Sequence, residues 1–168
     1  MDKLAGGDFQ IAPVARTDVG ELRRLIHALA DYEKLAHLCH CSEADLIEAL
    51  FCERPRVEAL IVRVAGVEGT VAFALYFHNF STFLGRPGLY LEDIFVEPRY
   101  RGRGIGRALI IHLARLAVAR RCGRFEWSVL DWNTSAQEFY RSLGATMLPD
   151  WRITRITGAA LDALAAQS

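Results

Sequence analysis

Residues 99–109 read RYRGRGIGRAL, and the reading of this stretch decides the fold. Arg99, Arg101, Arg103 and Arg107 alternate with Gly102, Gly104 and Gly106, and a helical apolar pattern follows at once through Ile105, Leu109, Leu113 and Leu116. Arginine at a helix start opposes the macrodipole, and each glycine costs about 1 kcal/mol relative to alanine inside a helix. Local stability does not account for such a choice. A bound anion does, because the first backbone N–H groups of a helix are free to face it and glycines let it approach.

Working outward, LYLEDIFV (89–96) reads as the strand that feeds this turn, ended by Pro98, and RFEWSVLDW (124–132) reads as the strand that follows the helix, which runs to about Cys122. Strand, helix and strand across 89–132 make a parallel crossover unit. Upstream, VEALIVRVA (57–65), the turn GVEG (66–69) and TVAFALYFHNF (70–80) read as a hairpin. FQIAPVA (9–15) is a first strand, Thr17 is placed to cap a helix to about Leu35, and Ser42 with Asp45 heads a short helix through Phe51. Downstream, Thr134 to Leu143 reads as a helix with a T-x-x-Q capping box, stopped by Gly144. WRITRI (151–156) reads as a last strand before an Ala/Leu-rich end. The expected fold class is α/β, with a mixed twisted sheet of antiparallel N-terminal strands and a parallel βαβ half.

The length of 168 residues suits one domain over 1–168, with Gly6–Gly7 read as a short terminal turn. Twenty Lys and Arg balance 20 Asp and Glu, so no global field draws the chain to nucleic acid or membrane and the anion site must be local. The apolar run VAFALYF (71–77) is too short to cross a bilayer, and MDKLAGGDFQ (1–10) lacks the apolar core of a secretory signal; a cytoplasmic location is expected. Cys39, Cys41, Cys52 and Cys122 follow no disulfide framework and read as reduced thiols, Cys122 as a small buried hydrophobe. His37–Cys41 (HLCHC) is too tightly spaced for a tetrahedral zinc clip and has no second cluster, so no metal is expected. His78 and His112, on apolar elements, read as structural.

The glycine-arginine turn lacks the Lys-Ser or Lys-Thr of a P-loop, and its G-x-G-x-G spacing is not the dinucleotide fingerprint. It does match R-x-x-G-x-G, as Arg101-x-x-Gly104-x-Gly106 after an acidic strand. This resembles the coenzyme A pyrophosphate motif of the GNAT acyltransferases, and the resemblance extends from about residue 9 to 157. LYLEDIFVEPRYRGRGIG (89–106) and DWNTSAQEFYRSLGA (131–145) are similar to the diamine (spermidine/spermine) and thialysine N-acetyltransferases. The resemblance implies a GNAT fold, acetyl-CoA as acetyl donor and a homodimer whose acceptor site draws on both subunits. It also implies a cofactor-binding set of Arg101, Gly102, Arg103, Gly104, Ile105, Gly106 and Arg107 in the loop, Ile94, Phe95 and Val96 along the strand, and Asn133, Ser135, Ala136 and Tyr140 on the later helix.

Transfer of acetyl from a thioester to an amine asks for three things: removal of a proton from the amine, donors for the oxyanion, and a proton for the departing thiolate. Glu92 and Asp93 interrupt an otherwise apolar strand and are candidate carboxylates; successive strand residues face opposite sides, so both line one face only if a bulge intervenes. The resemblance assigns amine binding and deprotonation to Glu92, and the protonation of the leaving sulfur to Tyr140. Read alone, Tyr140 sits on an ordinary apolar helical stripe. Asn133 is either a helix cap or a cofactor contact. DYEKL (31–35) resembles the family's helix end, which makes Tyr32 and Glu33 candidate amine contacts with Glu92 and Asp93, and Asp150 and Trp151 resemble an acidic-aromatic pair of the same pocket. Ser81-Thr82 stands where polyamine acetylators carry an acidic residue and resembles the thialysine enzymes. Losing that carboxylate weakens attraction for a second ammonium, while hydroxyls suit an amino-acid substrate. The expected reaction is direct acetyl transfer to a small aminoalkyl amino acid or diamine. Polyamine acetylation, protein N-acetylation and a non-catalytic coenzyme A-binding regulator are its rivals, and no nucleic-acid or membrane partner is expected.

Overall fold

The computed structural model describes residues 8–167; the Gly6–Gly7 turn lies outside them. Contacts divide the chain into two compact units, one ending at Ser128 and one beginning at Val129. The first unit holds a five-stranded sheet in simple sequential order: β1 (Phe9–Pro13), β2 (Glu58–Val64), β3 (Ala72–Ser81), β4 (Arg86–Val96) and β5 (Arg124–Trp127). The first four strands pair antiparallel and β5 joins β4 in parallel, so the mixed sheet of the sequence reading stands.

The core follows from the period-two alternation of the strands. Ala59, Ile61, Phe73, Leu75 and Phe95 face one side and bury against Val19, Leu22, Leu25 and Leu29 of α1 (Val19–Tyr32) and Leu46 and Leu50 of α2 (Glu43–Phe51). Leu60, Val62, Ala72 and Ala74 alternate with these and are equally buried, and α3 (Ile105–Ala119) buries Ile105, Leu109 and Leu113 as it packs on β3, β4 and β5.

Several boundaries differ from expectation for local reasons. Asp18, not Thr17, organises the entry to α1: its carboxylate accepts the Ala15 N–H at 2.9 Å and pairs with Arg63 at 2.5 Å, holding a 3-10 turn over Arg16–Asp18. That helix ends at Tyr32 rather than Leu35 because Lys34 adopts a left-handed conformation, φ 62°, and Leu35 N–H closes back on Ala30. Arg121, at φ 56°, likewise ends α3 before Cys122, whose side chain is only half-buried. Ser42 and Asp45 do form the expected reciprocal capping box. The strand after α3 stops at Trp127, since its ladder with β4 covers only Gly88–Leu91.

The second unit holds α4 (Thr134–Ser142) and α5 (Ala159–Ala165). The cap of α4 is Asn133, whose Oδ1 accepts the Ala136 N–H at 3.2 Å; the Thr134-x-x-Gln137 box does not form because Gln137 Nε2 turns to the Asp131 carbonyl at 2.9 Å. Gly144, at φ 90°, ends the helix as expected. Residues 151–156 form no strand: a strand needs a ladder, and among the described residues none pairs with them. No described helix is long and apolar enough to cross a membrane.

Candidate active site

Strand β4 carries the site because it is irregular in the right place. Leu75 lies opposite Asp93 while its neighbour Tyr76 lies opposite Leu91, so Glu92 is an extra residue, a bulge. The bulge resets the alternation and turns Asp93 to the face of Leu75, Phe73 and Phe95, the face covered by α1. There the end of α1 meets the strand: the Tyr32 and Phe95 rings lie 6.5 Å apart. Burial, then the charges of Glu92 and Glu33, push the Asp93 carboxyl up to about 6. Burial also raises Glu33. Tyr32, Glu33, Glu92 and Asp93, four residues singled out for the amine, are therefore brought together, with Glu92 itself exposed.

The same strand opens on its other edge. Pairing with β5 ends at Leu91 and Trp127, and β4 runs on to Val96 without it. Glu97 N–H is given to Val71 at 3.0 Å on the β3 side; counting back by twos, Phe95 and Asp93 address β3, and Ile94 and Val96 point their backbone groups to the open side. Arg101 Nε, which donates to the Val96 carbonyl at 3.0 Å, lies on that open side.

The loop that follows fits a pyrophosphate. Gly102 and Gly104 hold φ of 74° and 79°, and a Cβ at either would meet nothing within 4 Å, so the backbone is approachable. Gly104 is the left-handed cap of α3, and the first helical bond, Ala108 N–H to Gly104 at 2.9 Å, leaves the amides of Ile105, Gly106 and Arg107 without helical partners. The arginine side chains of the loop also make contacts within the protein. Arg101 folds back over the Tyr32 ring (4.5 Å) and Phe95 (5.7 Å), Arg103 lies over Tyr100 (5.3 Å), and Arg99 pairs with Glu97 at 2.9 Å. Three of the four arginines thus brace the loop, and Arg107 remains exposed on the first turn of α3. Sequence reasoning missed the loop's anchor: Arg24 of α1 donates to buried Glu97 at 2.6 Å and to the Thr70 carbonyl at 2.7 Å. Only the position of Glu97, just before Pro98, hinted at it.

Ser81 and Thr82 do not join this group within one chain. Ser81 Oγ accepts the Leu84 N–H at 3.2 Å in the β3–β4 hairpin turn, six residues along β3 from Leu75, roughly 20 Å at strand rise. In the second unit, Ser135 and Ala136 form the first turn of α4, Tyr140 is buried with its ring 5.3 Å from Phe139, and Asp150 and Trp151 are exposed. The His37–Cys41 segment forms a turn between α1 and α2; no cluster of three metal-ligating side chains occurs among the described residues. A surface hollow of about 680 Å³ beside α2, lined by Asp45, Glu48 and Arg56 among others, contains none of the residues above.

Residues 23–145 match the model of the acetyltransferase (GNAT) family. The chain is 38% identical over 157 residues to the thialysine N-epsilon-acetyltransferase of Bos taurus, covering 88% of this chain and 92% of that one. It is 31% identical over 192 residues to the L-ornithine N5-acetyltransferase of Arabidopsis thaliana, covering 88% and 84%. Among solved structures, an integron cassette protein from the mobile metagenome of V. cholerae superposes with a TM-score of 0.79 at 28% identity, covering 96% of this chain and all of that one.

Proposed function

The chain belongs to the acetyltransferase (GNAT) family, whose enzymes use acetyl-CoA, and from that premise we propose that its acceptor is the primary amine of a small aminoalkyl amino acid or short diamine, acetylated directly in a ternary complex. One observation carries the reading: three carboxylates, Glu33, Glu92 and Asp93, converge beside Tyr32 where β4 bulges and β5 leaves it. An ammonium group is what such a cluster attracts. Exposed Glu92 takes the proton that makes the amine a nucleophile, Asp93 and Glu33 hold the cationic end, and Tyr32 closes over it.

On the donor side, the amides of Ile105, Gly106 and Arg107 would hold the pyrophosphate and the open backbone groups of Ile94 and Val96 the pantetheine arm. When bound, acetyl-CoA supplies an activated acyl group and a thiolate leaving group. Tyr140 returns a proton to that sulfur. The relatives named for thialysine and ornithine support an amino-acid acceptor over spermine. The reading includes a homodimer, supported by the distance of Ser81 and Thr82 from Glu92 within one chain.

The test is free-thiol release from acetyl-CoA with thialysine, ornithine, spermidine and a no-amine blank. Turnover with thialysine or ornithine well above spermidine is expected. A preference for spermidine overturns the small amino-acid acceptor, and thiol release no faster than the blank with every amine overturns the acceptor class.

A further inference from the structure

Glu97, directly after β4, is a buried carboxylate that the proposed chemistry does not use. Both of its oxygens are held. Arg24 Nη1 donates to one at 2.6 Å, and Arg99 donates to the other through Nε at 3.1 Å and Nη2 at 2.9 Å. Its main chain is fixed as well: the N–H bonds the Val71 carbonyl at 3.0 Å, and the carbonyl accepts the Tyr100 N–H at 2.8 Å, closing the 3-10 turn Pro98–Tyr100. Arg24 reaches past it to the residue before Val71, donating Nη2 to the Thr70 carbonyl at 2.7 Å, while Glu21 accepts the Thr70 N–H at 3.1 Å. One guanidinium of α1 thus clasps the chain as it enters β3 and as it leaves β4.

Beyond this clasp the loop has little of its own to hold it. Residues 101–104 are exposed, and among the described residues the N–H groups of Gly102, Arg103 and Gly104 make no backbone hydrogen bond. The next fixed point is the bond from Ala108 N–H to Gly104 at the head of α3. The amides of Ile105, Gly106 and Arg107 therefore take their position from two ends, the packed helix on one side and the Glu97 turn on the other. Amides that bind an anion act through their direction, so a small displacement of the turn is felt at the site. We propose that Arg24, acting through Glu97, is a positioning residue for the donor: it sets where the Gly102–Arg107 loop stands, and so the affinity for acetyl-CoA. The planar fork of arginine suits the task, because two of its nitrogens serve Glu97 and Thr70 at once.

This role rests on the donor site of the proposed function and is independent of the acceptor. Acetyl-CoA is titrated calorimetrically into the full chain, well below the melting temperature of each variant. Arg24→Ala should weaken binding about tenfold. Arg24→Lys, which keeps the charge but not the fork, should recover only part of that loss, and it carries the test if Arg24→Ala does not fold. In Arg24→Ala combined with Glu97→Gln the unpaired buried charge is gone, and affinity should stay low. Affinity within about twofold of the parent in Arg24→Ala, whatever its melting temperature, overturns the positioning role and leaves a purely structural clasp. Parental affinity in Arg24→Lys or in the double variant assigns the effect to charge rather than placement and equally overturns it. Binding that is absent in the parent, or undiminished by Gly104→Asp, overturns the donor site itself and the role of Arg24 with it.

Discussion

Asp93 is the residue at which the fold and the proposed chemistry meet. Its folded pKa of about 6 lies above the ordinary 3.8 because burial, and then Glu92 and Glu33, oppose its charge. Between those values the folded chain keeps a proton that the unfolded chain has released, so stability falls as pH rises from 3.8 to about 6 and stays lower above. Asp93→Asn should therefore melt higher than the parent at pH 7.5, by about 2 kcal/mol of stability, with the difference closing below pH 4 in a melting series. The same variant should weaken kcat/KM for the amine, and the parent's acid limb near pH 6 should shift. On the proposed acid role of Tyr140, Tyr140→Phe is expected to lower turnover about a hundredfold while leaving acetyl-CoA affinity intact by calorimetry. The sequence marked Glu92 and Asp93 because charges interrupt an apolar strand. Which of the two is buried depends on the pairing with Leu75 and Tyr76, a register no local pattern contains.

At the scale of elements, the turn between β4 and α3 was legible through its glycines, whereas the protein contacts of its arginines were not. Positive φ at Gly102 and Gly104 is a backbone requirement that composition announces. The use of Arg99, Arg101 and Arg103 against Glu97, Tyr32 and Tyr100 depends on tertiary neighbours, and so did the Arg24–Glu97 anchor. Two variants separate backbone from ligand effects. Gly104→Ala meets open space and should cost about 1 kcal/mol of stability through its left-handed φ, with acetyl-CoA still binding. Gly104→Asp should abolish that binding in calorimetry, because a carboxylate then stands where the pyrophosphate must approach. Capping by Asn133 was one of two roles left open for it by the sequence. The competing T-x-x-Q box failed because Gln137 found backbone carbonyls instead.

At the scale of the whole molecule, the hairpins and the βαβ crossover were legible because each is set by short-range period and turn chemistry. The side chains that fasten the crossover were not: β5 holds to the sheet through four residue pairs, and its attachment depends on side chains that meet across β4. Asn79 of β3 donates to Glu126 of β5 at 3.1 Å, and Glu126 pairs with Arg124 at 2.8 Å, over the backbone of Gly88. A Cβ at Gly88 would sit 2.2 Å from Asn79 Oδ1 and 3.0 Å from Arg124 Cγ. Glycine is thus required at the middle of a strand, where it otherwise weakens pairing. Gly88→Val should displace both side chains, cost about 2–3 kcal/mol and lower Tm by several degrees. Because the hydrogen-bonded bridge lies at β5 and the α1–α2 core lies elsewhere, the loss should not be uniform. Amide exchange should accelerate first in Arg124–Trp127, while β2 and β3 keep parental protection. Uniform acceleration across all five strands would instead mean that the sheet opens as one unit and that β5 is no weaker than the rest.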